Sequence, residues 1–262
     1  MSIAVFDSGL GGLTILREIR ALLPGLAIDY LSDNAAFPYG PKPEGELVDR
    51  VTVVVDRLVQ SLNPDLLVVA CNTASTVVLP SLRERLTIPV VGVIPAIKPA
   101  AVLSRSKSIA LLATPGTVSR RYTHELIEEH AAECEVLRVG SSELVRLAED
   151  KLLGTPVDEA ALWSLLAPFR TPAAAEVDVI VHGCTHFPLV EQELSASLGR
   201  DVEWVQSGPA IARRVAHLLE LESSKGETAV PGRSFFTASP PESHALVKAL
   251  RDHALSEPRL LP

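Results

Sequence analysis

Two cysteines at corresponding positions of two similar segments are the residues of this sequence best suited to chemistry. One segment, DLLVVACNTAS, ends its apolar run at Cys71, and the other, DVIVHGCTHFP, ends its run at Cys184. In both segments the cysteine comes six residues after an initial aspartate. A thiol between a strand and a helix faces the positive end of the helix dipole, so we expect a lowered thiol pKa at both positions.

A structural role is the competing interpretation, because free cysteine is among the most often buried residue types. Two cysteines in one local context, each followed by polar groups, favour a functional role. Asn72-Thr73 follows the first and Thr185-His186 the second, and these groups suit the binding of a carboxylate and an amine. Cys134, between acidic residues in AAECEVLRV, has no such context and is predicted to be structural.

A glycine-rich turn with an acid, DSGLGG, follows the first apolar run and begins at Asp7. Its spacing does not fit the dinucleotide pattern G-x-G-x-x-G, and the acid stands where a pyrophosphate would approach. Asp7 is therefore predicted to be a catalytic or amine-binding group, with a helix N-cap as the alternative. Other polar groups at predicted strand ends are Ser32-Asp33, Pro38-Tyr39-Gly40, Thr114 and Thr117, whereas His182 lies within a strand and is predicted to be a core histidine.

Short apolar runs alternate with amphipathic segments along the chain. The runs predict strands at 3–6, 28–31, 66–70, 90–94, 109–113, 135–139, 178–182 and 202–205. Helical periodicity predicts helices at 13–23, 44–62, 74–86, 118–131, 142–152, 158–168, 190–198 and 209–221. Continuous rather than alternating apolar strands, separated by helices, indicate an α/β fold with parallel sheets covered on both faces.

The alternation of strands and helices runs twice, which predicts two similar open, mostly parallel α/β sandwich domains. The first would comprise residues 1–95 plus 207–255, and the second residues 96–206, with a hinge near Pro95–Pro99. The segment from Arg233 is predicted to add a strand that packs back on the first domain, a placement that also draws on the resemblance described below. Ser223–Gly232 is predicted to be an exposed loop and residues 255–262 to be frayed.

Composition excludes several classes of protein. The 262 residues are 47% hydrophobic and 21% charged, and the net charge is 24 − 32 = −8, which argues against a nucleic-acid surface. No apolar run is long enough to span a membrane, and the N-terminal stretch lacks the pattern of a signal peptide. Three cysteines cannot all pair, so we expect a cytoplasmic protein with free thiols. No spacing typical of a metal site, a P-loop or a serine-hydrolase elbow is found.

Several motifs together resemble the glutamate racemases of the cofactor-independent aspartate/glutamate racemase family. The match covers nearly the whole chain in order, through Asp7-Ser-Gly-Leu-Gly-Gly-Leu, Ser32-Asp33, Pro38-Tyr39-Gly40, Ala70-Cys71-Asn72-Thr73-Ala74-Ser75, Thr117-Val-Ser-Arg-Arg-Tyr122 and Gly183-Cys184-Thr185-His186-Phe187-Pro188-Leu189. Two positions depart from the family pattern: Gln206 stands where an acid is common, and Phe187 replaces a usual tyrosine.

The resemblance implies an active site in the cleft between the two domains, with no cofactor and no metal. One thiol would remove the α-proton of glutamate while the other returns a proton to the opposite face. Carried over, Cys71 would deprotonate D-glutamate with the help of Asp7, and Cys184 would deprotonate L-glutamate with the help of His186 and Glu149. The candidate substrate-binding residues are Asp7, Ser8, Tyr39, Gly40, Asn72, Thr73, Thr117, Thr185 and His186.

The implied function is interconversion of L- and D-glutamate, which supplies D-glutamate for peptidoglycan. An aspartate or other amino-acid racemase is the nearest alternative. A cysteine-nucleophile hydrolase would leave the second cysteine unexplained, and a non-catalytic binding or inhibitor protein would bind a ligand without exchanging its α-proton. The implied partners are glutamate and, because relatives are often dimers, a second copy of the chain; no nucleic acid and no membrane are expected.

Overall fold

A computed structural model describes residues 1–223 and 228–262 of the chain. All of its strand pairs are parallel, and they form two sheets. The predicted loop Ser223–Gly232 falls partly on residues 224–227, which lie outside the described residues, and Gly232 itself begins a strand.

The first sheet has six strands, in the order β10-β9-β2-β1-β3-β4. These strands are β1 (Ser2–Asp7), β2 (Ala27–Ser32), β3 (Leu66–Val69), β4 (Val90–Gly92), β9 (Gly232–Phe236) and β10 (Leu255–Leu260). The helices that accompany them are α1 (Leu13–Leu22), α2 (Glu44–Leu62), α3 (Asn72–Arg85), α10 (Gly208–Leu218) and α11 (His244–Asp252).

The second sheet has four strands, in the order β6-β5-β7-β8. They are β5 (Ser108–Ala113), β6 (Glu135–Gly140), β7 (Val179–Gly183) and β8 (Glu203–Val205). The remaining helices are α4 (Ile97–Leu103), α5 (Pro115–Ser119), α6 (Arg121–His130), α7 (Glu143–Leu152), α8 (Glu159–Leu165) and α9 (Glu191–Leu198).

Each sheet has a hydrophobic core on both faces, as continuous apolar strands require. Every residue of β3, β5 and β7 is buried. Residues on one face of β1 pack with the stripe Leu13, Leu16 and Ile19 of α1, and residues on the other face pack under α2 and α3. The predicted α/β fold with parallel sheets is therefore confirmed. The carboxyl ends of the central strands β1, β3, β5 and β7 carry the polar residues singled out in the sequence.

Sheet membership supports two domains, which we propose as residues 1–95 with the C-terminal part of the chain, and residues 96–206. The segment from Arg233 joins the first sheet as β9. The prediction of frayed residues at 255–262 was wrong, because β10 pairs with β9, and Leu255 and the following Leu261 are buried. The segment was predicted to be frayed because it contains charged residues and Pro258, which are tolerated in a strand at the edge of a sheet.

Some predicted boundaries are also corrected. The predicted helix at 118–131 is two helices, α5 and α6, which meet at Arg120 with an extended backbone. The predicted hinge at Pro95–Pro99 includes the first turn of α4, where proline is tolerated. Among the described residues, no helix has the length and apolar character that crossing a membrane requires.

Candidate active site

Cys71 lies at the carboxyl end of β3, where it is the N-cap residue of α3. Its side chain is only 6% exposed, and its Sγ lies 3.6 Å from Oγ of Ser8. Burial, followed by the negative charge of Asp7, raises the pKa of Cys71 to about 12. The predicted lowering of this thiol pKa was therefore wrong, because desolvation outweighs the helix terminus at this position.

Asp7 ends β1 and is fully buried. Its Oδ2 accepts hydrogen bonds from the amide of Gly9 at 3.2 Å, the amide of Gly12 at 3.0 Å and the hydroxyl of Tyr30 at 3.4 Å. Its Oδ1 is buried and has no hydrogen-bond partner within the described part of the chain. Burial raises the pKa of Asp7 above its ordinary value. Because α1 begins only after Gly12, Asp7 is not its N-cap, and the free oxygen is available to an ammonium group.

Cys184 follows β7 and is 7% exposed. Its Sγ lies 3.8 Å from Nδ1 of His186, and Nε2 of that ring lies 2.7 Å from Oε2 of Glu149. Burial opposes a charge on His186, but its hydrogen bonds with Cys184 and Glu149 raise its pKa well above the ordinary value. His186 is therefore an imidazolium at neutral pH, with one N–H toward sulfur and the other toward the carboxylate.

The glycine-rich turn after β1 contacts the group formed by Cys184, His186 and Glu149. The amide of Leu10 donates to Oε2 of Glu149 at 3.0 Å. The amide of Gly11 lies 3.2 Å from Nε2 of His186, but a nitrogen that donates to Glu149 has no lone pair left, so we assign this approach as a close contact. A side chain on Gly11 would overlap the imidazole ring, which explains why glycine stands there.

The hydroxyls of three threonines meet on another side of the cleft. Thr73 Oγ1 lies 2.9 Å from Thr114 Oγ1 and 3.4 Å from Thr117 Oγ1, and the last two hydroxyls are 3.0 Å apart. Thr73 belongs to the first sheet's half of the molecule and the other two to the second. Next to them the buried guanidinium of Arg120 donates to the carbonyl of Thr73 and, at 2.8 Å, to the hydroxyl of Thr76. These contacts hold the two halves together.

Most of the other predicted binding residues also line this region. Asn72 is the first residue of α3 and has a buried Nδ2 without a partner in the described residues. Thr185 is buried, and its carbonyl accepts from the hydroxyl of Thr14 at 3.0 Å. Gly40 lies against Thr114 from the other half of the molecule.

The side chain of Tyr39 makes contacts within the protein. Its hydroxyl donates to Asp33 at 2.5 Å, and its ring packs on Phe6, so the side chain is fully engaged. Only its backbone is left to contact a substrate.

Sequence reasoning missed three residues of the site. Tyr30 donates to the carbonyl of Gly9 at 2.7 Å as well as to Asp7, and Thr14 joins the two halves through Thr185. The guanidinium of Arg120 donates to the carbonyl of Thr73, one of the three threonines. Tyr30 lies within an apolar strand, where its sequence context predicts a core residue. Nothing in the dipeptide Arg120-Arg121 indicates which arginine is buried. Among residues 1–223 and 228–262, no group of three or more His, Cys, Asp or Glu side chains is arranged to hold a metal ion.

Two buried thiols follow interior strands of the two parallel sheets, near enough for the charge on one to act on the other, an arrangement that suits proton transfer to and from a small molecule. Residues 12–215 match the family model described as Asp/Glu/Hydantoin racemase, and the chain belongs to that family.

Relatives match over most of their length. The glutamate racemase of Shewanella denitrificans is 56% identical over 218 residues, which are 83% of this chain and 78% of that protein. The glutamate racemase of Sodalis glossinidius is 47% identical over 99% of this chain and 90% of its own. The crystal structure of Escherichia coli glutamate racemase, in complex with L-glutamate and the activator UDP-MurNAc-Ala, is 46% identical. It has a TM-score of 0.90 and covers 100% of this chain and 98% of that one.

Proposed function

We propose that this chain is a glutamate racemase, which interconverts L- and D-glutamate without a cofactor and supplies D-glutamate for peptidoglycan. The observation that carries the proposal is the pair of buried thiols, Cys71 and Cys184, at the carboxyl ends of β3 and β7. They lie close enough for the charge on Cys184 to raise the pKa of Cys71. Similarity to glutamate racemases over nearly the whole chain supports glutamate as the substrate.

In the direction from L- to D-glutamate, the thiolate of Cys184 removes the α-proton, and the electron pair stays on the α-carbon. The thiol of Cys71 then gives its proton to the opposite face, which leaves Cys184 as a thiol and Cys71 as a thiolate. The reverse reaction exchanges these roles. Beside Cys184, the imidazolium of His186 and its partner Glu149 stabilise the thiolate.

Substrate binding would use the polar atoms that the protein leaves unpaired. Oδ1 of Asp7 accepts the ammonium group, and Nδ2 of Asn72 donates to a carboxylate. We assign further donors for the carboxylates to Ser8, Thr73, Thr117 and Thr185, and to the backbone of Tyr39 and Gly40. Closure of the cleft excludes water, so these fixed donors act in a low dielectric, which the weak acidity of the α-proton requires.

Proton NMR of L-glutamate with the protein in D₂O, alongside circular dichroism of the same sample, tests the proposal. We expect loss of the α-proton signal together with loss of optical activity. The variants Cys71→Ser and Cys184→Ser should each stop racemisation, whereas Cys134→Ser, which changes the thiol outside the cleft, should not.

Aspartate in place of glutamate tests the alternative substrate, and comparable rates on both would contradict specificity for glutamate. Full activity in either single cleft variant would refute the two-thiol mechanism. Unchanged α-proton signals for all amino acids offered would favour a non-catalytic binding protein. We also propose a cytoplasmic location. We propose a homodimer as well, which sedimentation of the purified protein would test.

A further inference from the structure

A second imidazole–carboxylate pair lies behind Cys184. His182 and Cys184 are two positions apart at the end of β7, so their side chains share one face of the sheet, about 7 Å apart along the strand. The ring of His182 stacks on Trp204 at 4.7 Å, and its Nε2 lies 2.9 Å from Oε2 of Glu191. These contacts fix the orientation of the ring. The mechanism derived above uses neither His182 nor Glu191.

The hydrogen bond to Glu191 determines which nitrogen of His182 carries the proton. Burial lowers the pKa of His182, although Glu191 partly counters this effect, so the ring is neutral at pH 7. A neutral imidazole that donates from Nε2 to a carboxylate must have a lone pair on Nδ1. This Nδ1 is buried and has no hydrogen-bond partner among the described residues. It is an acceptor that lacks a donor.

His182 and the missing donor both line a small cavity between the two halves of the molecule. We call it the interdomain cavity; it is lined by Thr14 and Asn72 on one side and by His182, Cys184, Gln206 and Ser207 on the other. Nδ2 of Asn72 has no partner among the described residues and carries two N–H groups, so one can donate to a substrate carboxylate and the other into the cavity. The cavity leaves about 10 Å³ for the centre of a water molecule, which is the lower limit of the space that one water needs.

We propose that the interdomain cavity binds one water molecule, which accepts a hydrogen bond from Asn72, donates one to His182 and donates one to the thiolate of Cys184. Three partners are the usual number for a buried water, and this arrangement satisfies both orphaned groups. His182 and Glu191 thus form a second pair that serves Cys184, and both are positioning residues that act through the water.

This assignment gives the sulfur of Cys184 donors on two sides. The imidazolium of His186 donates directly, and the water donates from the cavity. Both hydrogen bonds favour the thiolate, which is the form that would remove the α-proton of L-glutamate; this consequence rests on the proposed function, whereas the water site does not. Titratable groups near the sulfur are His186, Glu149, His182, Glu191, Cys71 and Asp7.

The test titrates the thiolate of Cys184 alone. In the background Cys71→Ser with Cys134→Ser, thiolate absorbance near 240 nm is followed with pH, which requires no racemase activity. His182→Phe keeps an aromatic ring for Trp204 and removes the nitrogen acceptor. Without Nδ1 the water loses the acceptor that holds it in place, so its hydrogen bond to the thiolate is lost as well. We therefore expect the titration midpoint to rise by about one pH unit, a tenfold loss of thiolate at a given pH.

Two controls separate this role from a general disturbance of the core. Glu191→Gln retains an oxygen that accepts from Nε2, so the midpoint should stay within about 0.3 unit of the background, as one retained neutral hydrogen bond implies. His253→Phe changes a half-buried histidine at the end of α11, whose Nδ1 lies 2.7 Å from the carbonyl of Ala249, and should leave the midpoint unchanged.

An unchanged midpoint in folded His182→Phe would overturn the proposal. If that variant does not fold, a crystal structure of the parent protein at a resolution that reveals waters decides. Density for a water within hydrogen-bond distance of Asn72, His182 and Cys184 supports the site, and a dry cavity refutes it. If the midpoint moves while the protein fails to racemise glutamate, the water site stands and the proposed function falls.

Discussion

Replacing Arg120 with methionine should open the cleft and weaken substrate binding. The guanidinium belongs to the junction of α5 and α6, yet it donates to the carbonyl of Thr73 and the hydroxyl of Thr76 in α3 of the other half of the molecule. Arg120 is 5% exposed, and its ion pair with Glu44 involves a carboxylate that is 64% exposed. The two hydrogen bonds to α3 join the two halves of the molecule, so we expect opening of the cleft to break them.

The size of the effect follows from these contacts. A hydrogen bond from a charged donor contributes about 1.5–3 kcal/mol to the stability of the closed form. Methionine recovers part of this loss, because the protein no longer has to bury a cation. A net loss of about 1.5–2 kcal/mol from the closed form corresponds to a ten- to thirtyfold increase in KM for glutamate. The exposed pair with Glu44 adds little, so Glu44→Gln should change KM by less than about threefold.

Steady-state racemisation of both enantiomers is the assay, and the neighbouring arginine is the matched control. Arg121→Met removes the same charge one residue away, but Arg121 is exposed and pairs with the exposed Glu125 on its own helix, so KM should not change. Because L- and D-glutamate have equal free energies in water, kcat/KM must fall by the same factor in both directions. A KM within twofold of the parent for Arg120→Met, or an equal change in Arg121→Met, would refute the reasoning.

Two further predictions concern ionisation. With the other two thiols removed, the thiolate absorbance of Cys71 should appear only near its pKa of about 12. Asp7→Asn should lower that pKa, because a nearby negative charge is lost. A titration midpoint below pH 9 in the protein that retains Asp7 would contradict this prediction. Burial would raise the pKa of Asp33, but hydrogen bonds from Arg50, Thr237 and Tyr39 lower it below its ordinary value. Asp33 therefore stabilises the fold above pH 4, and this contribution is lost as pH falls through its lowered pKa. Asp33→Asn should reduce the free energy of urea unfolding by about 2 kcal/mol at pH 7, a value already lowered because Arg50 is partly exposed to solvent. Near pH 2 the loss should be much smaller. An equal loss at both pH values would exclude the ionised carboxylate as the cause.

The site could be predicted where a strand end and a chemical group coincide in the sequence. Cys71 and Cys184 met that condition, because parallel strands place the groups that follow them at one edge of the sheet. Glu149 did not: it lies on the helix α7 and reaches the site through tertiary contacts with His186 and the amide of Leu10, so only the resemblance suggested it. Arg120 and Tyr30 act across tertiary contacts that leave no local periodicity, and the pKa of Cys71 depends on burial that local sequence does not reveal.

Similar local sequences surround the two thiols, but their electrostatic environments are opposite. Cys71 is next to the buried carboxylate of Asp7, which raises its pKa and favours the thiol. Cys184 is next to the imidazolium of His186, which favours the thiolate. In the ligand-free protein the proton is therefore held on Cys71, and under the proposed mechanism Cys71 as the acid is the arrangement that accepts L-glutamate. For D-glutamate to react under the same mechanism, Cys71 must first lose this proton. The ammonium of a bound substrate beside Asp7 would assist this step, because it offsets the charge that holds the proton on Cys71.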